Sequence, residues 1–344
     1  MANSTQISTQ IAPEQLINTA GKPEFGHFDG VIKSLGVADF NYFNVMDKPA
    51  SSLKKHFDFK QFQFVSIRSG RYLIGVAIAD IRYLGSGFFY VFDISANHLV
   101  EQTWLKPPQL GYQMSESPYQ GLAYIGGGKK RVSINIIDAQ WHIDIQTKTV
   151  VAKLRLCPPS LSLPMSLCTP TAYNGWTYTQ KHNGLSVQGE LEVNHEPQPL
   201  LHALASYDFS AGFMRRQTSW RWASFNAQSE HGVLGLNLAA GVNETGANEN
   251  VFWVNGERHL LPAVQFDFER ENAMANWHVN SANGQVSLNF KPVNLRQEKL
   301  NLYVLKSNFR QYMGYFDGHI IDNHGQKHLV QQQLGLTEDH YAKW

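Results

Sequence analysis

Between Leu185 and Val193 the chain alternates with a period of two. Leu185, Val187, Leu191 and Val193 fall on one side of an extended backbone, and Ser186, Gln188, Glu190 and Glu192 on the other. A strand with one dry face and one wet face suits that pattern, and such strands belong to antiparallel sheets. The same period recurs in Val132, Ile134 and Ile136 and again in Trp141, Ile143 and Ile145, with polar Asp138 and Gln140 between the two runs. This spacing predicts a hairpin. Further strands are expected over 62–67, 71–78, 88–94, 233–238, 286–290 and 301–305.

Turn chemistry punctuates these runs. Asn174-Gly175, Asn183-Gly184, Asn255-Gly256, Asn283-Gly284 and His324-Gly325 each offer a residue that accepts positive φ. Helix is expected only over 14–20 and in the tail, 336–344, and neither segment carries a long apolar stripe. The fold class is therefore all-β: antiparallel barrels or sandwiches, with closure into barrels expected because large aromatics share strand faces with polar groups. At 344 residues the chain exceeds what one hydrophobic core usually serves. The segment 157–170 holds four prolines, which oppose regular pairing, so the boundary is expected near residue 165, giving domains 1–165 and 166–344.

Lys and Arg total 29 against 28 for Asp and Glu, a net charge of +1. Phosphate binding needs a concentrated basic excess, so nucleic acid is not an expected partner. The first residues have neither a basic start nor an apolar run of leader length, and no later run is long enough to span a membrane. The expectation is a cytoplasmic protein without an integral membrane segment, its two cysteines, Cys157 and Cys168, reduced. There is no phosphate-binding glycine loop, no Gly-x-Ser-x-Gly elbow and no His-Glu-x-x-His run. Neither a metal nor a cofactor is expected. Gly126-Gly-Gly128 before Lys129-Lys-Arg131 reads as a hairpin turn.

Unusual residues concentrate between Tyr207 and Trp253. Asp208 sits in a run whose alternate residues Ala203, Ala205, Tyr207 and Phe209 are apolar, which places its carboxyl on the opposite, partly polar face. Trp220, Trp222, Ser224 and Asn226 then point one way from a strand. Two indoles beside small polar groups suit a flat apolar ligand with one polar handle, and they equally suit a filled core. Arg216 stands ready for an acidic ligand group or for the surface. Asn237, and a loop holding Asn243, Glu244, Asn248, Glu249 and Asn250 before Trp253, supply hydrogen-bond and acid–base groups for a cavity mouth, or an ordinary solvated turn.

These residues carry a resemblance to the bacterial family known as domain of unknown function 2804. It rests on Asp208, Gly212, Trp220-Arg-Trp-Ala223, Asn237, Asn243-Glu244 and Glu249-Asn250, and continues through Trp277, Arg296, Phe316-Asp-Gly318 and the ending Gly335 to Trp344. That family is distantly similar to carotenoid hydratase and AttH-like proteins, and more loosely to tocopherol cyclase. The resemblance implies two lipocalin-like barrels or sandwiches side by side, with an apolar ligand in or between them. Asp208 is followed by Phe-Ser where many hydratase-like members have His-Glu-Trp, so their chemistry does not transfer by motif.

Three functions follow as expectations. The leading one is binding of an apolar small molecule of lipid, fatty acyl or isoprenoid type, held by Arg216, Trp220, Trp222, Asn237, Asn243, Asn250 and Trp253. The second is a hydratase, isomerase or cyclase in which Asp208 or Glu244 serves as the acid. The third is a carbohydrate-active β protein with aromatic platforms and paired carboxylates.

Overall fold

A computed structural model describes residues 7–230, 232–243 and 246–344. Most of it is strand, in two sheets, with very little helix. One has 15 strands, from Thr9–Ile11 to Leu204–Phe213, and the other has nine, from Gln217–Ser229 to Lys327–Lys343. Pairing is antiparallel apart from Thr9–Ile11, which runs parallel to Gly26–Asp29. The first sheet curls into a nearly closed barrel and the second into a half-barrel, side by side, as the expectation of an all-β fold of antiparallel barrels or sandwiches had it.

Closure of the first barrel depends on side chains that are missing. A Cβ at Gly85 would lie 2.4 Å from the Tyr112 ring, and one at Gly87 would lie 2.7 Å from Ile125. Without them the two ends of the sheet touch, and Tyr112 Oη donates to Asp80 Oδ1 at 3.3 Å.

The hairpin expected around Asp138 is present: Lys130–Ile137 pairs with Gln140–Gln146. Asp138 and Ala139 both have positive φ (50° and 64°), the geometry of a two-residue turn that matches strand twist. Asn255-Gly256, Asn283-Gly284 and His324-Gly325 also turn between strands. Asn183-Gly184 does not. It lies inside the 19-residue strand Gly175–Val193, where the register shifts between His182 and Leu185, so its positive φ serves a bulge rather than a reversal.

Other expectations need correction. The tail expected to be helical is the strand Lys327–Lys343, paired on both sides by Gln217–Ser229 and Leu305–Ile321. Residues 14–20 make only isolated bridges, and the α-helix of the described residues is Ser52–Asp58, its first turn capped by Ser51 Oγ. Residues 301–305 contain the turn at Tyr303 and Val304 rather than a strand of their own. No helix among the described residues is long and apolar enough to cross a membrane.

The proline-rich segment does not part the sheets. Its second half is the strand Met165–Thr171, paired with Gly175–Val193 inside the first sheet. Pro170 lies beyond the short outer pairing of 166–168 with 26–28, where a missing amide donor costs no ladder bond. The chain passes between sheets at 214–216, so the halves expected from residue 165 do not coincide with them.

Four apolar clusters follow from this arrangement, the smallest joining Met165 and Leu167 to Val251 and Trp253. One fills the first barrel, around Trp141, Trp176 and Phe209. A second fills the half-barrel, around Phe225, Phe252 and Trp277. The third lies between the sheets, where Phe64, Phe88 and Tyr90 meet Trp222, Phe309 and Met313. Burying a side chain of this size contributes about 1.5–3 kcal/mol, so the third cluster contributes much of what holds the two sheets together.

Candidate functional site

The strand Gly175–Val193 is the hinge of the design. As far as Leu185 it is buried on both faces. Trp176 and Tyr178 enter the first barrel, while the alternate residues Thr177, Thr179, Lys181 and Asn183 face the second sheet. The neighbouring strand Leu204–Phe213 sets Asp208 opposite Lys181 and Ser210 opposite Thr179. From the second sheet, the connection between Gly232–Ala240 and Val251–Val254 lowers Glu249 onto the same spot.

The result is a buried cluster of charges. Lys181 Nζ donates to Asp208 Oδ2 and lies 3.2 Å from Glu249 Oε2. Thr179 Oγ1 donates to Glu249 Oε2 at 3.2 Å, and Ser210 Oγ donates to Asp208 Oδ1 at 3.1 Å. The Lys181 and Glu249 side chains are only 5% and 3% exposed. Burial alone pulls the Lys181 pKa down, yet the two carboxylates outweigh it and the ammonium is held more firmly than in water. Burial pushes the Glu249 carboxyl above its ordinary range, against the pull of Lys181.

Above this cluster lies a cavity of about 230 Å³ between the sheets. Phe64 and Phe88 form one wall, and Trp220, Trp222 and Phe309 the other. Trp222 stands edge-on to Phe64, with ring centres 5.8 Å apart and an interplanar angle of 88°. Its Nε1 donates to Asn237 Oδ1 at 2.7 Å. Trp220 Nε1 donates to Glu338 Oε1 at 2.8 Å, and the indole packs on His340 with centres 4.2 Å apart. Arg296, 1% exposed, completes the wall, its guanidinium 4.0 Å from the centre of the Phe88 ring. A second hollow of about 560 Å³ on the first sheet, lined by Asn135, His142 and Arg155, is more open to solvent.

Of the residues singled out in the sequence, Asp208, Trp220, Trp222 and Glu249 line the cavity together. Asn237 stands behind them: it accepts from Trp222 and donates from Nδ2 to Glu249 O at 2.8 Å. Asn250 fastens the same connection, accepting from Ala239 N at 2.7 Å and donating to Pro262 O at 2.9 Å. Asn243 Oδ1 accepts from Thr169 Oγ1 at 2.9 Å. The amides thus brace the loop instead of lining the cavity.

Trp253 turns away from the cavity. It packs with Met165 and Leu167, and its Nε1 donates to Leu163 O at 2.9 Å. Arg216 is exposed at the passage between sheets, where its carbonyl accepts from Trp344 N at 3.0 Å. Glu244 lies outside the described residues.

Lys181 escaped the sequence analysis altogether, and Glu249 entered only as one polar loop residue among several. The available signal was the polar stripe Thr177, Thr179, Lys181 and Asn183, alternating with Trp176, Tyr178, Gln180 and His182. A charge in a stripe that has no wet face requires a partner.

Glu257, His259 and His324 bring donor atoms within 4.8 Å of one another at a separate place on the second sheet. Two of them already satisfy each other, His324 Nε2 and Glu257 Oε1 being 2.6 Å apart.

Among solved structures, the chain is similar to kievitone hydratase from Nectria haematococca, with 9% identity and a TM-score of 0.48 over 83% of this chain and 88% of that one. It is also similar to a protein described as a candidate AttH from Nitrosomonas europaea, with 10% identity and a TM-score of 0.44 over 83% of this chain and 92% of that one. No curated protein matches the chain. Residues 9–344 match the family described as domain of unknown function DUF2804, and the chain belongs to that family.

Proposed function

We propose that the protein binds an apolar small molecule, of lipid, fatty acyl or isoprenoid type, in the cavity between its sheets, and does so in the cytoplasm. The observation that carries this reading is the composition of the wall. Phe64, Phe88, Trp220, Trp222 and Phe309 converge on one hollow of about 230 Å³. Aromatic faces around a hollow bind flat apolar bodies, and each Å² of apolar ligand surface buried contributes about 25 cal/mol before the costs of association. Trp222 is the anchor, because its indole is fixed at both ends by Phe64 and Asn237.

Native mass spectrometry of purified protein, followed by organic extraction, tests the reading. An apolar compound is expected to leave with the wild type, and its retention is expected to fall at least tenfold in Trp222→Ala. Equal retention by the two proteins overturns the assignment of the cavity.

A second reading is acid–base catalysis on an apolar unsaturated ligand in the same cavity, with Asp208 as the group that touches it. The buried Lys181, Asp208 and Glu249 cluster favours this reading, since bringing three charges out of water is costly and perturbed clusters of this kind concentrate at reactive sites. Asp208→Asn is then expected to bind the extracted compound normally and leave it unconverted. Conversion at the wild-type rate by that variant removes the catalytic reading and leaves the binding reading intact.

A further inference from the structure

One hairpin of the second sheet breaks the pattern of the others. Asn255-Gly256, Asn283-Gly284 and His324-Gly325 close their turns with a polar residue and glycine. The hairpin between Val286–Leu302 and Leu305–Ile321 closes on Tyr303 and Val304 instead. Tyr303 takes φ 59°, a left-handed conformation that asparagine and glycine adopt readily and a bulky side chain does not. Tyr303 is 92% exposed and Val304 61%, and Leu302 is exposed beside them. Neither turn chemistry nor contact with water selects these three residues at a tip, and contiguous exposed apolar groups mark an interaction surface.

The tip stands beside the opening of the cavity between the sheets. Leu300, Leu305 and Lys306 line that cavity from the second sheet, and Leu105 lines it from the first. Leu105 and Lys306 are also exposed, and a residue that both lines a hollow and meets solvent stands at its mouth. The sheets are tied on this side, Asn294 Nδ2 donating to Asn97 Oδ1 at 2.9 Å and Arg296 to Thr103 Oγ1 at 3.1 Å. From those ties each strand runs on to its apolar end.

Charge divides the faces of the same hairpin end. Lys306 pairs in register with Lys343, and Lys299 with Asn308, so the period of two puts the three lysines on one face and Leu300, Leu302 and Leu305 on the other. Like charges directly opposite one another destabilise a sheet. None of the three lysines has an ion-pair partner among the described residues. The acids close to them along the strands are taken, Glu298 by Arg296 and Asp339 by Arg221 and Arg270. Unrelieved cations beside an apolar tip fit a surface that offers hydrocarbon and anionic oxygens together, which is an anionic bilayer. A second copy of the chain meeting tip to tip would instead bring the same lysines against each other.

We propose that this hairpin end docks on an anionic lipid bilayer, with Leu302, Tyr303 and Val304 entering the interface and Lys299, Lys306 and Lys343 meeting the phosphates. The cavity mouth then opens on the bilayer, from which an apolar ligand passes without crossing water. The docking stands on the hairpin itself. Filling of the cavity from the bilayer rests on the binding reading above, which the extraction experiment tests separately.

Co-sedimentation of the full chain with phosphatidylglycerol vesicles and with phosphatidylcholine vesicles tests the docking. Binding to the anionic vesicles is expected to be at least tenfold tighter than to the neutral ones and to fall with added salt. Tyr303→Ser is expected to weaken it at least threefold. The double variant Lys306→Gln, Lys343→Gln is expected to weaken it at least tenfold and to leave neutral vesicles unaffected, since each lysine near an anionic surface contributes about fivefold. Both variants should melt no lower than the wild type, which separates a loss of docking from a loss of fold. Undiminished binding by both variants, equal binding to the two kinds of vesicle, or no binding overturns the docking and leaves the cavity reading standing. A dimer in sedimentation velocity that Tyr303→Ser dissolves, with vesicles left unbound, also overturns it and gives the tip to a second copy.

Discussion

At the scale of single residues, His182 shows how a titratable ring is kept neutral in a dry place. His182 is 3% exposed, with Nε2 2.8 Å from Ser162 Oγ and its ring against Trp253. Burial, followed by the charge of Arg258, lowers its pKa to about 3. The unfolded chain binds a proton here near the ordinary histidine value of about 6.5, whereas the folded chain does not. The stability this neutral ring contributes is therefore complete above about pH 6.5 and is lost as the pH falls from there toward about 3. Urea unfolding of the wild type and His182→Gln between pH 7 and pH 4 checks the sign. The stability difference between the two proteins should shift against the wild type by about 1.4 kcal/mol for each pH unit below 6.5. Parallel curves would place the histidine in contact with solvent. Carboxylates common to both proteins cancel in the comparison.

At the scale of elements, the bulge in the strand Gly175–Val193 does two things at once. Gly184 has φ +73°, and a Cβ there would lie 3.2 Å from Val233 Cγ1. Beside it, Asn183 Nδ2 donates to Ser224 Oγ and Leu236 O, both at 2.8 Å, which joins the first sheet to the second. Gly184→Ala should cost about 1–2 kcal/mol, read as a lower urea midpoint at unchanged slope. Gly127→Ala, with open space around the new methyl, should change stability by less than about 0.5 kcal/mol. Elements were legible in the sequence where one face is wet. Leu185 to Val193 and the hairpin at Asp138 alternate cleanly because solvent selects one of their two sides. The strand Lys327–Lys343 was not legible. Leu336, Thr337, Glu338 and Asp339 are all buried, some toward the half-barrel and some toward the first sheet, so polar and apolar residues mix along it. The site shows the same division. Asp208, Trp220 and Trp222 stood out as an acid and two indoles on alternating runs, whereas Lys181 and Glu249 meet them only through strand register and a long crossing between sheets.

At the scale of the whole molecule, the two sheets are bound by a shared apolar cluster and by Asn183, so they should unfold together. A fragment ending at residue 165 lacks both Gly175–Val193 and Leu204–Phe213, the strands that join the two arms of the first sheet. Such a fragment should show no cooperative transition in differential scanning calorimetry, while the full chain shows one. A sharp transition in the fragment would mean that one arm is stable without the other. The order of strands also bears on synthesis. The first barrel has all its strands by Phe213, but Lys327–Lys343 occupies the middle of the second sheet, flanked by Gln217–Ser229 and Leu305–Ile321. While a ribosome is still working, the half-barrel must therefore wait with two unzipped edges until its keystone emerges.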